Sequence, residues 1–247
     1  VTRLLPAEIL AYAESLGMVA RDPHKLGDVI RMTDANAVLT TYYRNNVLHL
    51  FAMPSLIACA FIANAEMRTE DIQRLAGRIY PYVASELFLK WREDELPQVV
   101  IRTLAVLRER GVLECNPEQT VWCRPPPASP GAMQLSLLSQ LTLQFIERYY
   151  LAIAILIEAG PGQITRRALA ERCQLMAQRM TLLYGFNSPE FFDRALFENF
   201  IDLLRERRAL RIGEGGNLEF DDVLEQVARD AQIVLSEQIR HSILQVT

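Results

Sequence analysis

Three histidines and four cysteines in 247 residues leave little material for imidazole or metal chemistry. A histidine-dependent acyl or phosphoryl transfer needs an imidazole oriented by a carboxylate. His24 and Asp28 have three residues between them, in what reads as a hairpin, and His49 and His241 have no carboxylate at a suggestive spacing. Cys59, Cys115, Cys123 and Cys173 lack metal-ligand spacing. A glycine-rich phosphate loop, a Gly-x-Ser-x-Gly elbow and a zinc signature are all missing. The chain therefore offers no complete active site, and no catalytic residue, metal ligand or cofactor is assigned to it. Charge of one sign is scarce as well: the formal net charge is −4, which argues against broad binding to a phosphate backbone. The first residues, Val1 to Pro6, show no secretory pattern and no initiator Met, as expected of a piece of a longer protein.

Half of the residues are apolar and 23% are charged, a globular composition with enough length for a full core. Mean hydropathy slightly above zero leaves room for membrane or partner contact. The strongest internal feature is an echo. Leu107-Arg-Glu-Arg-Gly-Val-Leu113 returns as Leu204-Arg-Glu-Arg-Arg-Ala-Leu210. Upstream, Val100 and Leu104 correspond to Phe197 and Ile201, so the apolar helical phase is kept too. Leu16-Gly17-Met18-Val19 reads as the worn end of an earlier copy. Duplicated helical units are implied.

Helix signals open at Pro6 and stop at Gly17. Short strands at 18–20 and 28–32 follow. Further helices are expected over 36–64 (with Pro54 inside), from Thr69 as N-cap to about Trp91, and over 95–110, then strands near 112–115 and 120–124. Arg124-Pro-Pro-Pro-Ala-Ser-Pro-Gly131 cannot be helical and marks the best boundary. The plan then repeats. Helices are expected over 133–159, from Thr165 to Tyr184 and from Ser188-Pro189-Glu190 to Arg208, then a hairpin over 209–220 and a helix over 221–241. The expected fold is mainly α, as tandem winged-helix-like units of three helices plus a short β-hairpin each. Its divisions are 1–34 (the end of a preceding repeat), 35–127, 132–220 and a C-terminal helix over 221–247.

Asn45–Ala65 carries no formal charge and has the length of a membrane span, yet Asn45, Asn46, His49, Pro54, Ser55 and Asn64 lie in it. A buried core helix is the favoured reading; interfacial contact or packing on a further domain is the other. Tyr42, Tyr43, Arg44, Asn45, Asn46 and His49 cluster at the head of that helix. They form either a buried hydrogen-bond network or a contact surface for a catalytic domain or an anionic substrate. Cys115 and Cys123 lie about equally far from the turn at Gln119 and can face each other across a hairpin. Reduced thiols in a cytosolic compartment are favoured over a disulfide. Arg102, Arg108, Arg110, Arg205, Arg207 and Arg208 sit on the third helices, where a winged-helix protein reads DNA. They alternate with acids, as exposed faces do, so nucleic acid is not an expected partner.

Thr41-Tyr-Tyr-Arg-Asn-Asn46 and Met53-Pro-Ser-Leu56 resemble the membrane-associated bacterial glycerol-3-phosphate acyltransferases. Tyr80-Pro81, Glu86-Leu-Phe-Leu-Lys-Trp91, Asp94-Glu-Leu-Pro97, Ala177-Gln-Arg179 and Asn187-Ser-Pro-Glu-Phe-Phe-Asp193 continue the likeness. The resemblance covers most of the chain and matches the C-terminal portion of that family. The family's His-x4-Asp catalytic motif lies upstream and no position here matches it, so no catalytic role transfers. What the resemblance implies is a supporting region of an enzyme that acylates glycerol 3-phosphate from acyl-CoA or acyl carrier protein. That enzyme works at the cytoplasmic face of the bacterial inner membrane, so a membrane surface is an implied partner. The implied partner within the same protein is the upstream acyltransferase domain. Docking candidates are the helix-head cluster and, more weakly, Glu86, Trp91, Phe191, Phe192 and Asp193. The alternatives are a winged-helix nucleic-acid-binding regulator and a protein-interaction module.

Overall fold

The computed structural model describes residues 4–32, 34–184 and 189–235, together with 237, 240, 241 and 243. It is mainly helical, as expected. Contacts divide the chain into two compact units, one ending at His49 and the other starting at Leu50.

The first unit holds helix α1 (Pro6–Ser15), the antiparallel strands β1 (Ala20–Asp22) and β2 (Val29–Arg31), and the start of helix α2 (Asp34–Ala63). Ala20 pairs Arg31 and Asp22 pairs Val29. Strand β1 starts at Ala20 rather than Met18, because Met18 still donates its N–H to Ala13 at the end of α1. Asn36 closes the turn by donating to the Gly17 carbonyl at 2.6 Å.

The second unit contains the rest of α2, then β3 (Glu66–Arg68), α3 (Thr69–Leu87), α4 (Leu96–Glu109), β4 (Glu114–Cys115) and β5 (Val121–Cys123). After the Pro-rich segment come α5 (Pro130–Ala159), α6 (Arg166–Tyr184), α7 (Arg194–Glu206), β6 (Arg211–Ile212), β7 (Leu218–Glu219) and α8 (Asp222–Val234). The first sheet has the order β3-β5-β4, all antiparallel. The later hairpin β6-β7 gains a lone bridge between Thr165 and Asn217. Each copy thus places a segment from before its second helix against the last strand of its hairpin.

The core lies where the long helices meet. Helix α5 is apolar almost all round from Phe145 to Leu156 and buries most of that length, as a central helix must. In the second unit, Ala52, Met53 and the run Leu56–Phe61 of α2 are buried. Ser55 and Thr142 hydroxyls meet at 2.7 Å where α2 crosses α5, and Cys59 donates to the Ser139 carbonyl at 3.3 Å. Residues 42–63 are long and apolar enough to cross a bilayer, but 56% of that window is buried inside the protein, as a core helix requires.

Several boundaries differ from expectation. Thr69 does not cap α3; Arg68 holds that position with no side-chain cap bond. The Thr69 hydroxyl instead donates to the Gln119 carbonyl (3.0 Å) and accepts from Trp122 Nε1 (2.9 Å), tying the hairpin to the helix start. Helix α3 stops at Leu87 because Phe88 turns left-handed, with φ of 50°. The helix expected from Ser188 to Arg208 is broken: Pro189–Phe192 form a 3₁₀ turn, and Asp193 is the cap of α7, accepting from Ala195 N. Ser188 itself lies outside the described residues. Helix α8 ends at Val234, where Leu235 is extended; Glu237, Arg240, His241 and Ile243 are helical again, so the helix expected over 221–241 is interrupted at Leu235. Cys115 pairs with Trp122 and Cys123 with Glu114, so the two cysteines are out of register, and all four cysteines are free thiols.

The repeat has a structural signature. Gly17, Gly111 and Arg208 all have φ between 61° and 67° and donate to the carbonyl three residues back at 2.9 Å. In each case the next N–H reaches the carbonyl five residues back: Met18 to Ala13, Val112 to Leu107 and Ala209 to Leu204. This is the left-handed helix stop that glycine adopts without strain and arginine does not. Arg208→Gly should therefore stabilise the chain by about 1 kcal/mol, raising Tm by roughly 2–4 °C in thermal unfolding. An unchanged or lower Tm would contradict this reading of the turn.

Candidate functional site

On the first unit's part of α2, the helical spacing brings Tyr42, Tyr43, Asn46 and His49 to the surface. Tyr42 is 65% exposed and Tyr43 54%, their rings edge to face at 5.9 Å. Arg44 and Asn45 are half-buried, and the Arg44 guanidinium donates to Asn45 Oδ1 at 3.1 Å and 3.2 Å. A buried network is therefore not what most of this cluster forms. Two exposed tyrosines with Leu39 and Val47, also exposed, make an amphipathic face rich in the residue types that anchor interfaces.

The weaker candidates sit in the second unit, engaged within the fold. Phe191 is buried, Phe192 is half-buried and Asp193 caps α7. Trp91 is held through its backbone: Tyr80 Oη donates to its carbonyl at 2.9 Å and accepts its N–H at 3.2 Å. Glu86 faces inward from the end of α3. It pairs with Arg148 of α5, which is only 2% exposed, and accepts the Tyr149 hydroxyl at 2.6 Å. The guanidinium also lies over the Phe145 ring at 5.3 Å. Burial, with the Glu86 charge adding to it, pushes the Tyr149 phenol well above its ordinary range, so it stays a neutral donor.

Immediately before Arg148 in sequence, Glu147 is 3% exposed and makes no hydrogen bond or ion pair among the described residues. Burial raises its carboxyl to about 8. Sequence reading passed over Glu147 and Arg148. The available signal was an acid and a base side by side at the head of the apolar run from Tyr149 to Ile157.

Beside this network, α3, α5, α7 and α8 enclose a cleft of about 390 Å³. Its floor is aromatic. Tyr149 stacks on Phe200 at 4.4 Å, and Tyr82 meets Phe200 edge-on at 5.7 Å. At the rim, Arg78 donates to both Asp230 oxygens at 2.7 Å. Arg207 lies over the Tyr82 ring at 5.7 Å and pairs with Glu93 at 2.6 Å. Among the described residues no three His, Cys, Asp or Glu side chains cluster as a metal site would need.

A sequence profile described as the glycerol-3-phosphate acyltransferase C-terminal region matches residues 2–213. The chain belongs to this family. It is 42% identical over 239 residues to the glycerol-3-phosphate acyltransferase of Pseudomonas aeruginosa strain UCBPP-PA14, covering 96% of this chain and 28% of that protein. Identity is 40% to the protein of the same name from Pseudomonas fluorescens SBW25, with the same coverage. It is also 40% to that from Ectopseudomonas mendocina, over 97% of this chain and 29% of the relative. The chain thus spans little more than a quarter of the length of the curated relatives it matches.

Proposed function

We propose that this chain is a non-catalytic supporting region of a glycerol-3-phosphate O-acyltransferase. That enzyme moves an acyl group from acyl-CoA or acyl carrier protein to glycerol 3-phosphate at the cytoplasmic face of the inner membrane. The observation that carries this reading is the match of residues 2–213 to the C-terminal region of that family. His24 sits in the exposed β1–β2 turn, its Nδ1 accepting the Leu26 N–H, and His49 lies on the exposed face of α2.

The division into an end piece (1–34), two repeats (35–127 and 132–220) and a final helical segment (221–247) belongs to the same proposal. Each repeat is read as winged-helix-like: a helix, a short extended segment (strand β3 in the first, a lone bridge at Thr165 in the second), two helices, then a hairpin that pairs back on that segment. Such a pattern does not give function by itself. Arg205 pairs with Asp202 and Arg207 with Glu93, which favours a scaffold over a DNA-reading face.

In this proposal the face around Tyr42, Tyr43, Arg44, Asn45, Asn46 and His49 docks on the upstream acyltransferase domain. Glu86, Trp91, Phe191, Phe192 and Asp193 act indirectly, by holding the repeats in shape. Arg44→Ala in the full-length enzyme should lower acyl transfer about tenfold, as loss of an interface arginine does, while Tm stays within about 2 °C. Labelled glycerol 3-phosphate with an acyl thioester measures it at matched protein level. Equal activity removes the docking role. The 247-residue chain alone should give no product, and product from it would overturn the non-catalytic reading.

A further inference from the structure

The helix stop at Gly17 has the geometry of those at Gly111 and Arg208, so residues around the three stops can be matched one to one. Leu104, Leu107 and Leu113 are buried around the second stop, and Ile201, Leu204 and Leu210 around the third. Their counterparts around the first, Leu10, Ala13 and Val19, are apolar too, yet all three are only half-buried. Leu5 is 67% exposed where Val99 is buried, and Ile9 is 44% exposed where Phe200 is buried. Helix α1 has no buried residue at all. It keeps the pattern of a packed helix without the packing.

The two later copies show what does the covering. Helix α4 packs on α3, and α7 packs on α6 and α5, so earlier helices of a copy cover its last one. Strand β5 has β3 on its other edge, a segment from just before the second helix of that copy, and the bridge from Thr165 to Asn217 stands in the same place. Strand β2 pairs with β1 alone, so its other edge is bare among the described residues. A two-stranded hairpin and a ten-residue helix, neither with a buried residue, are marginal in water. Helix face and strand edge call for the same pieces.

We infer that the segment of this polypeptide just upstream of Val1 supplies them. It forms two helices that cover the α1 face around Leu10 and Val19, and between them a short strand on the free edge of β2. Helix α2 starts at Asp34 and α4 at Leu96, and α5 starts at Pro130 and α7 at Arg194. That spacing places the pair within roughly the 65 residues before Pro6. The inference rests on the proposed reading only in taking the chain to continue upstream. It gives α1 a repeat helix pair, not the catalytic domain, as its partner.

Hydrogen exchange of the full-length protein tests it. Amides of α1 and of the outer edge of β2 should exchange at least about a hundredfold more slowly than those of an unprotected chain. Leu10→Asp should speed exchange in both segments at least about tenfold and leave α5 to α7 unchanged, whereas Leu10→Met should keep the protection. Benzoylphenylalanine placed at Ile9 identifies the occupant, because irradiation should join it to the upstream segment. Unprotected exchange in α1 and β2 would overturn the inference, as would indifference to Leu10→Asp. Cross-links only to lipid, to a second copy or to residues further upstream would do the same. Acyl transfer is not among these readouts, so the supporting role and this inference can fail independently.

Discussion

Glu147→Gln should stabilise the chain at pH 8.5 by about 3–5 kcal/mol and leave it nearly unchanged at pH 4. The carboxyl is buried on α5 with no cation or hydrogen-bond partner among the described residues, and burial lifts it to about 8. Its neighbour Arg148 is committed to Glu86. The native state therefore holds the Glu147 proton more tightly than the unfolded chain does. Stability from this group is fully present below about pH 4.5, declines as pH rises towards 8, and is flat above that. Glutamine is isosteric with the protonated acid and cannot ionise, so the variant loses this slope. Five acids held low by arginines, Glu14, Asp94, Glu171, Glu198 and Asp202, work in the opposite sense at acid pH. They are common to both proteins, so the difference between the two Tm-versus-pH curves isolates Glu147. A gap of roughly 10 °C at pH 8.5 that closes by pH 4 is the expected result. Parallel curves would show that Glu147 is solvated or paired in solution.

Much of the helical plan was legible because period and punctuation agree. Pro6, Gly17, Gly111 and Gly160 mark real ends, and the Leu107–Leu113 echo in Leu204–Leu210 marks two left-handed stops of the same geometry. Strand β3 was not legible: Glu66-Met-Arg68 is three residues long and is a strand only because β5 lies beside it. Thr69 looked like a cap because local chemistry favours one, but Gln119 and Trp122 use its hydroxyl from about fifty residues away. The helix-head cluster was found as residues, while its exposure was not, since an aromatic run reads alike whether buried or bare. The cleft left no trace in the sequence at all. Its floor comes from Tyr82, Tyr149 and Phe200 on three different helices, which only the packing brings together.

Glu86→Ala should destabilise the chain by about 3–5 kcal/mol, lowering Tm by roughly 10 °C. Arg148 is almost fully buried and its Nε has no partner among the described residues, so Glu86 is the anion that makes the charge tolerable. Removing it strands a guanidinium in the core and leaves the Tyr149 hydroxyl with the Tyr82 carbonyl alone. The rings of Phe145 and Tyr149 near the guanidinium offset only part of that loss. A buried ion pair need not stabilise a fold on balance, and that gives the decisive comparison. Arg148→Met combined with Glu86→Leu removes both charges and keeps apolar volume, so the double variant should recover most of the stability lost by Glu86→Ala. Thermal unfolding of the wild type, Glu86→Ala and the double variant reads this directly. If the double variant is as unstable as Glu86→Ala, the pair is fixing the geometry of α3 against α5 rather than merely neutralising a charge. The same substitution should then also disturb the cleft that those two helices share.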